Sequence, residues 1–141
     1  MKYLSPLLAF ILLLSISCDT TSPKELDKNE ILDILDSIQL NFNMHLDPDD
    51  IMQYYNQNFN HNGDDFDFER IRWEIRSNDY NDLIFENIEI NLNGNYATAD
   101  FLMQLDETAT DEPSDENGDI SYLYRELGSW KLCGKDFVVL P

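Results

Sequence analysis

The stretch IFENIEINLNGNYATADFLM, residues 84–103, decides the fold. Ile84, Ile88, Ile90 and Leu92 alternate with polar residues, the period of a strand that buries one face. Asn93-Gly94 is a strong signal for a two-residue type I′ hairpin turn. A loop at 93–94 sets Leu92 opposite Asn95, Ile90 opposite Ala97, Ile88 opposite Ala99, Glu86 opposite Phe101 and Ile84 opposite Met103. The other face then pairs Asn91 with Tyr96, Glu89 with Thr98 and Asn87 with Asp100. Turn chemistry and alternation therefore agree on one register, with an apolar face and a polar face.

Downstream, YLYRELGSWKLCG (122–134) predicts a second hairpin turning at Gly128-Ser129, where a leading glycine suits type II′. That register sets Leu127 against Trp130 and Arg125 against Leu132, with Glu126 facing Lys131 on the other side. Between the hairpins, Asp106 to Asp119 holds seven acids and one proline and reads as a solvated loop. Upstream the period changes to helical. Ser22, Pro23 and Glu25 form an N-cap, a first-turn proline and a capping-box acid, and Ile31, Ile34, Leu35, Ile38 and Phe42 follow at helical spacing. A second start lies at Asp47-Pro48-Asp49-Asp50. A third helix is predicted from Asp65 or Asp67, with Phe68, Ile71 and Ile75 on its buried stripe and Trp73 off it. Helices first and antiparallel strands afterwards make an α+β chain.

This order, with Tyr54 to Gly63 and Gly128 to Gly134 as its most characteristic pieces, resembles the nuclear transport factor 2-like superfamily. That group includes ketosteroid isomerase and the SnoaL-like domains. The resemblance spans roughly residues 24–138. It implies a cone, with a curved antiparallel sheet wrapped around three N-terminal helices and a pocket at the open end. It implies no reaction, because this fold hosts unrelated functions.

The N-terminus carries a different message. Lys2, the apolar run Leu7 to Leu14, and Ser15-Ile16-Ser17 ahead of Cys18 resemble a bacterial lipoprotein signal, in which the cysteine is lipidated and becomes the new N-terminus. The run is too short to span a bilayer. Ser15 stands where such signals usually carry leucine, and Ser15 and Ser17 also suit ordinary signal peptidase cleavage. The expected organisation is a signal peptide at 1–17, a lipidated Cys18 and short tether at 18–23, and one domain at 24–141. The expected location is the cell envelope, on the periplasmic side of the inner membrane or on the outer membrane. Acyl chains on Cys18 would be the membrane partner, since two or more chains hold a protein stably where one is marginal. Without lipidation, a Cys18–Cys133 disulfide becomes available in that oxidising compartment.

The chain carries a net charge of −19, and loss of Lys2 with the signal takes it to −20. Such acidity argues against nucleic acid and anionic headgroups as partners. Its aromatic content of 12% argues against disorder.

Chemistry is sparser. Glu86 falls on the apolar face in the register above, where burial would raise its pKa toward acid–base use. Arg125, also on an apolar face, is its expected partner, and a β-bulge that turns Glu86 outward is the alternative. His61 follows the short second helix and points either into the pocket or to the surface. Tyr54, Trp73, Phe101 and Trp130 complete the candidate pocket, and Glu86 is the best candidate for a catalytic group. Cys133 reads as a half-buried structural thiol. Two isolated histidines offer no zinc spacing, and Ile120 stands where a calcium-binding EF-hand loop needs glycine, so no metal or cofactor is expected.

Two function classes follow. One is a non-catalytic envelope lipoprotein that binds a small apolar ligand or an envelope protein, with a homodimer through the sheet compatible with it. The other is a SnoaL-like or isomerase-like enzyme using an inward carboxylate or histidine. The first is favoured, because the isomerase pattern of an inward aspartate with a donor pair does not map onto this chain residue by residue. A cone filled by Phe101, Met103, Trp73 and Trp130 would favour partner binding; an open pocket with a charged floor would favour a ligand.

Overall fold

The computed structural model describes residues 21–114 and 118–140; the expected signal peptide and Cys18 lie outside them. Helix α1 (Pro23–Asn43) starts as its sequence dictates. The Ser22 hydroxyl accepts the Glu25 amide at 3.3 Å and proline occupies the first turn. Its apolar stripe Ile31, Ile34, Leu35, Ile38 and Phe42 is buried. Asp47 caps α2 (Pro48–Met52) in the same way. Two short strands, β1 (Asn60–His61) and β2 (Asp64–Asp65), form a small hairpin over Asn62 and Gly63, both at positive φ. Helix α3 (Phe66–Asp79) follows, and then β3 (Leu83–Asn93), β4 (Tyr96–Leu105), β5 (Thr108–Glu112), β6 (Tyr122–Glu126) and β7 (Ser129–Leu132). The order across the large antiparallel sheet is β3-β4-β6-β7. Strand β5 pairs with the far end of β4, where residues 101–105 have run past β6.

Both outer strands of that path are capped by the helical layer. The Asn43 amide donates to the Leu83 carbonyl and accepts its N–H, and Gln39 accepts the N–H of Phe85. On β7, Leu132 exchanges backbone bonds with Tyr54 and Asn56, and Glu30 accepts the Trp130 N–H. Backbone groups that would otherwise template aggregation are thereby paired.

The first hairpin has the predicted strands in a shifted register. Asn93 faces Tyr96, so Gly94-Asn95 is the loop; Leu92 faces Ala97 and Ile90 faces Ala99. The shift is two places, so the parity holds, Ile90 is buried and Ile88 and Leu92 pack half-buried on the core. Parity then inverts at a bulge. Glu89 pairs with Asp100 but Glu86 pairs with Leu102, leaving Asn87 and Ile88 opposite Phe101 alone, with Asn87 at φ 56°. Beyond it Leu83 and Phe85 turn inward, and Ile84 and Glu86 face solvent. The inward placement of Glu86 is thus corrected, since the extra residue rotates the strand.

The first hairpin turns one residue late, and the second turns one residue early. Arg125 faces Trp130 and Glu126 faces Ser129, leaving Leu127-Gly128 as the loop. Both loop residues have positive φ, 49° and 88°, the type I′ pattern, whereas the first hairpin leads with Gly94 at 62°. Leucine is strained in that region and Leu127 buries nothing, being 102% exposed. Leu127→Asn should therefore stabilise the protein by about 0.5–1 kcal/mol in urea unfolding; a loss of stability would contradict this turn assignment. The acidic connection also departs from expectation. Residues 108–112 form a strand, and Glu112 and Asp119 are buried.

Candidate functional site

The site begins with how α3 is turned. Asp65 caps it, its carboxylate accepting the Phe68 N–H at 3.0 Å. The face it buries is Glu69, Trp73 and Arg76, while Phe68, Ile71 and Ile75 lie about half exposed. This reverses the predicted stripe. Periodicity counts apolar residues, but burial follows area and partners. Trp73 offers more surface than any of the three, and the charged residues one turn to either side find partners inside.

Those partners make a buried polar network. Trp73 Nε1 donates to the Tyr55 hydroxyl at 2.8 Å, and Tyr55 donates to Glu69 Oε1 at 3.1 Å. Arg72 Nη1 donates to Glu69 Oε2 at 3.0 Å, and its other nitrogen Nη2 binds Asp64. Arg76 holds Asp119 in a two-pronged grip, with Nη1 to Oδ2 at 2.7 Å and Nη2 to Oδ1 at 3.1 Å. Its guanidinium lies 4.8 Å from the centre of the Trp73 ring system, a cation–π contact. Glu69 is 0% and Asp119 1% exposed.

The electrostatics follow from that burial. Desolvation, reinforced by Asp119, pushes the Glu69 carboxyl well above the usual range and favours its protonated form. Burial would raise Asp119 too, but the Arg76 guanidinium and a hydrogen bond from Glu69 hold it below the ordinary carboxylate range. Burial also raises the Tyr55 phenol, with Glu69 and Asp119 adding to it, and raises the nearby Glu112 carboxyl.

The network opens to solvent on one side. A cleft of about 290 Å³ lies between α3 and strands β4 and β5, and Arg72 and Arg76 form part of its wall. Ile75, Met103 and Leu105 give it apolar surface, and Thr108 and Thr110 add hydroxyls. Arg76 has five N–H donors, of which the Asp119 grip uses two. A bound acceptor could take others. Among the described residues no group of three or more His, Cys, Asp and Glu side chains could hold a metal ion, and no helix is long and apolar enough to cross a membrane.

Of the predicted pocket residues, Trp73 alone is hydrogen-bonded into this network. Phe101 packs edge-on against Phe85 at 4.9 Å, and Tyr54 is half-buried against the core. Trp130 is buried at the other end, where Nε1 donates to Asp27 at 3.2 Å. Arg125 pairs with that same Asp27 at 3.1 Å, which corrects the expected Glu86–Arg125 pair. Cys133 is fully rather than half buried, and burial pushes its thiol up to about 12, the behaviour of an inert structural cysteine. Sequence reasoning missed Tyr55, Glu69, Arg72, Arg76 and Asp119. The available signal was that residues 69, 73 and 76 share one helical line centred on a tryptophan.

His61 points inward. Its ring is buried, Nδ1 accepts the Lys135 N–H at 3.3 Å, and Nε2 has no partner among the described residues. Burial lowers its pKa from 6.5. A histidine depressed in the folded state contributes full stability above its unfolded pKa and loses it as pH falls toward the folded value. Stability should therefore drop as pH falls below about 6.5, by at most about 1.4 kcal/mol per pH unit from this one proton. His61→Gln should flatten that part of the profile; an unchanged slope in the variant would clear His61 of the effect.

No family model and no curated protein matches the sequence. Solved structures do. A Nostoc punctiforme protein of unknown function with a cystatin-like fold is 14% identical with a TM-score of 0.56, covering 77% of this chain and 87% of its own. A nuclear transport factor 2-like protein of unknown function from Pseudomonas putida is 13% identical at a TM-score of 0.53, covering 75% of this chain and 81% of its own. A Novosphingobium aromaticivorans protein, proposed to be an aromatic ring hydroxylase, is 13% identical at a TM-score of 0.56, covering 84% and 93%. At such identities the likeness establishes the α+β cone and leaves function to the site.

Proposed function

We propose that this domain is a non-catalytic binding module of the cell envelope, anchored through Cys18, whose cleft takes a small, largely apolar, neutral molecule bearing one carbonyl or hydroxyl acceptor. The observation that carries this reading is the position of Arg76, bordering a cleft to which Ile75, Met103 and Leu105 give apolar surface, while the acid–base groups Glu69, Asp119 and Tyr55 stay buried and bonded within the network behind it. Arginine stays protonated at ordinary pH, so Arg76 orients a ligand by hydrogen bonding rather than transferring a proton to it. Of the two acid–base candidates read from the sequence, Glu86 faces solvent and His61 does not line this cleft. The net charge of −19 favours a neutral ligand over an anion.

An isosteric pair tests the cleft. Acetophenone and α-methylstyrene differ by a carbonyl oxygen in place of a methylene. A hydrogen bond from a charged donor contributes about 1.5–3 kcal/mol, so acetophenone should bind roughly tenfold or more tightly. Arg76→Met should erase the difference. Equal binding of the two by the wild type would contradict the reading.

Anchoring is tested by intact mass. The mature protein should begin at Cys18 carrying acyl chains, and Cys18→Ser should release it from membranes or leave it unprocessed. An unmodified Cys18 in the wild type would contradict lipidation.

A further inference from the structure

We propose that the outer face of α3 is a docking surface for a cationic protein segment with apolar anchors at helical spacing. Phe68, Ile71 and Ile75 are 50%, 48% and 54% exposed and lie at i, i+3 and i+7, one line about 10 Å long on a helix that buries Glu69, Trp73 and Arg76 on its other side. An aligned apolar row on a surface helix marks an interaction site more often than scattered exposed residues do.

Charge chooses the occupant. The cations on this helix are committed, Arg70 to Asp47, Asp49 and Glu74, and Arg72 to Asp64 and Glu69. Asp67 and Asp79 flank the row, exposed and without an ion-pair partner among the described residues. A second copy would set these acids against its own, within a chain of net charge −19, and an anionic membrane would be repelled likewise. A segment with lysine or arginine beside its apolar anchors meets both features, by the helix-on-groove logic of amphipathic recognition. Ile75 belongs also to the wall of the cleft, so an occupant of the row would sit beside the cleft mouth. The inference does not depend on the cleft ligand.

The test uses the full-length chain and three synthetic peptides on the order of 18 residues, or five helical turns. One carries leucines on a helical stripe with lysines elsewhere, one scrambles that order, and one replaces lysine by glutamate. The amphipathic cationic peptide should bind saturably, and roughly tenfold or more tightly than either control. Phe68→Ser/Ile71→Ser/Ile75→Ser, which keeps every charge, should weaken it by a similar factor, and Ile71→Ser alone serves if the triple variant misfolds. Acetophenone binding by Ile71→Ser should be unchanged. Undetectable binding, equal binding of the scrambled peptide, or serine variants that bind as the wild type does would overturn the proposal. So would a wild-type dimer that these substitutions dissociate, because the occupant would then be a second copy.

Discussion

Asp119→Ala should destabilise the fold by about 3–5 kcal/mol, because it leaves the Arg76 charge buried without its counter-ion. With a urea m-value of about 1–3 kcal/mol/M, the unfolding midpoint should fall by roughly 2 M. For a domain with about 5–15 kcal/mol in total, that is a large share of its stability. The penalty belongs to breaking the pair, not to lacking it. Replacing the set together, as Glu69→Leu/Arg76→Met/Asp119→Leu, should cost much less, since well-packed apolar groups often substitute for a buried ion network at little loss. Asp119 also sets an acid limit. Its folded pKa is depressed, so its contribution is full above the unfolded value of 3.8 and is lost as pH falls toward the folded one. A midpoint unchanged by Asp119→Ala would mean that this aspartate is solvated.

Trp73→Ala should cost a comparable 3–5 kcal/mol, the usual range for deleting a fully buried large aromatic side chain. The indole meets Phe42 edge-on at 6.0 Å, supports the Arg76 guanidinium and donates to Tyr55. Trp73→Phe keeps most of the ring packing and loses the N–H, so it should cost less than half as much. The Ala variants at 73 and 119 should be less than additive, since both act on Arg76, and a cavity at 73 lets water reach the guanidinium. Thermal and urea unfolding of the two single variants and the double variant measure all three quantities. Strict additivity would show that the tryptophan and the ion pair are independent.

The sequence carried the architecture well where local chemistry and burial agree. The Ser22 and Asp47 caps, the α1 stripe and the antiparallel hairpins all follow from residue type and spacing. Registers were less legible, because a glycine can lead or follow in a two-residue turn. Gly94 leads its loop and Gly128 follows Leu127 in the other, the reverse of expectation in both cases. The bulge at Asn87 was named only as an alternative, since nothing in IFENIEI marks where a strand gains a residue. The site was the least legible part. Its acids and arginines look like ordinary surface residues until Asp119, 43 positions beyond Arg76, is brought against it. One tryptophan with buried partners outweighed three aliphatic and aromatic neighbours in choosing the face of α3.

That orientation of α3 underlies the network, the cleft wall and the exposed apolar row alike. Carboxyl carbon NMR titration of Glu69 and Asp119 tests it most directly. The expected result is a split pair, with Asp119 ionised to well below pH 3.8 and Glu69 retaining its proton well above pH 4.5. Two carboxyls titrating together in the ordinary solvated range would place Glu69 on the outside of the helix and contradict the account.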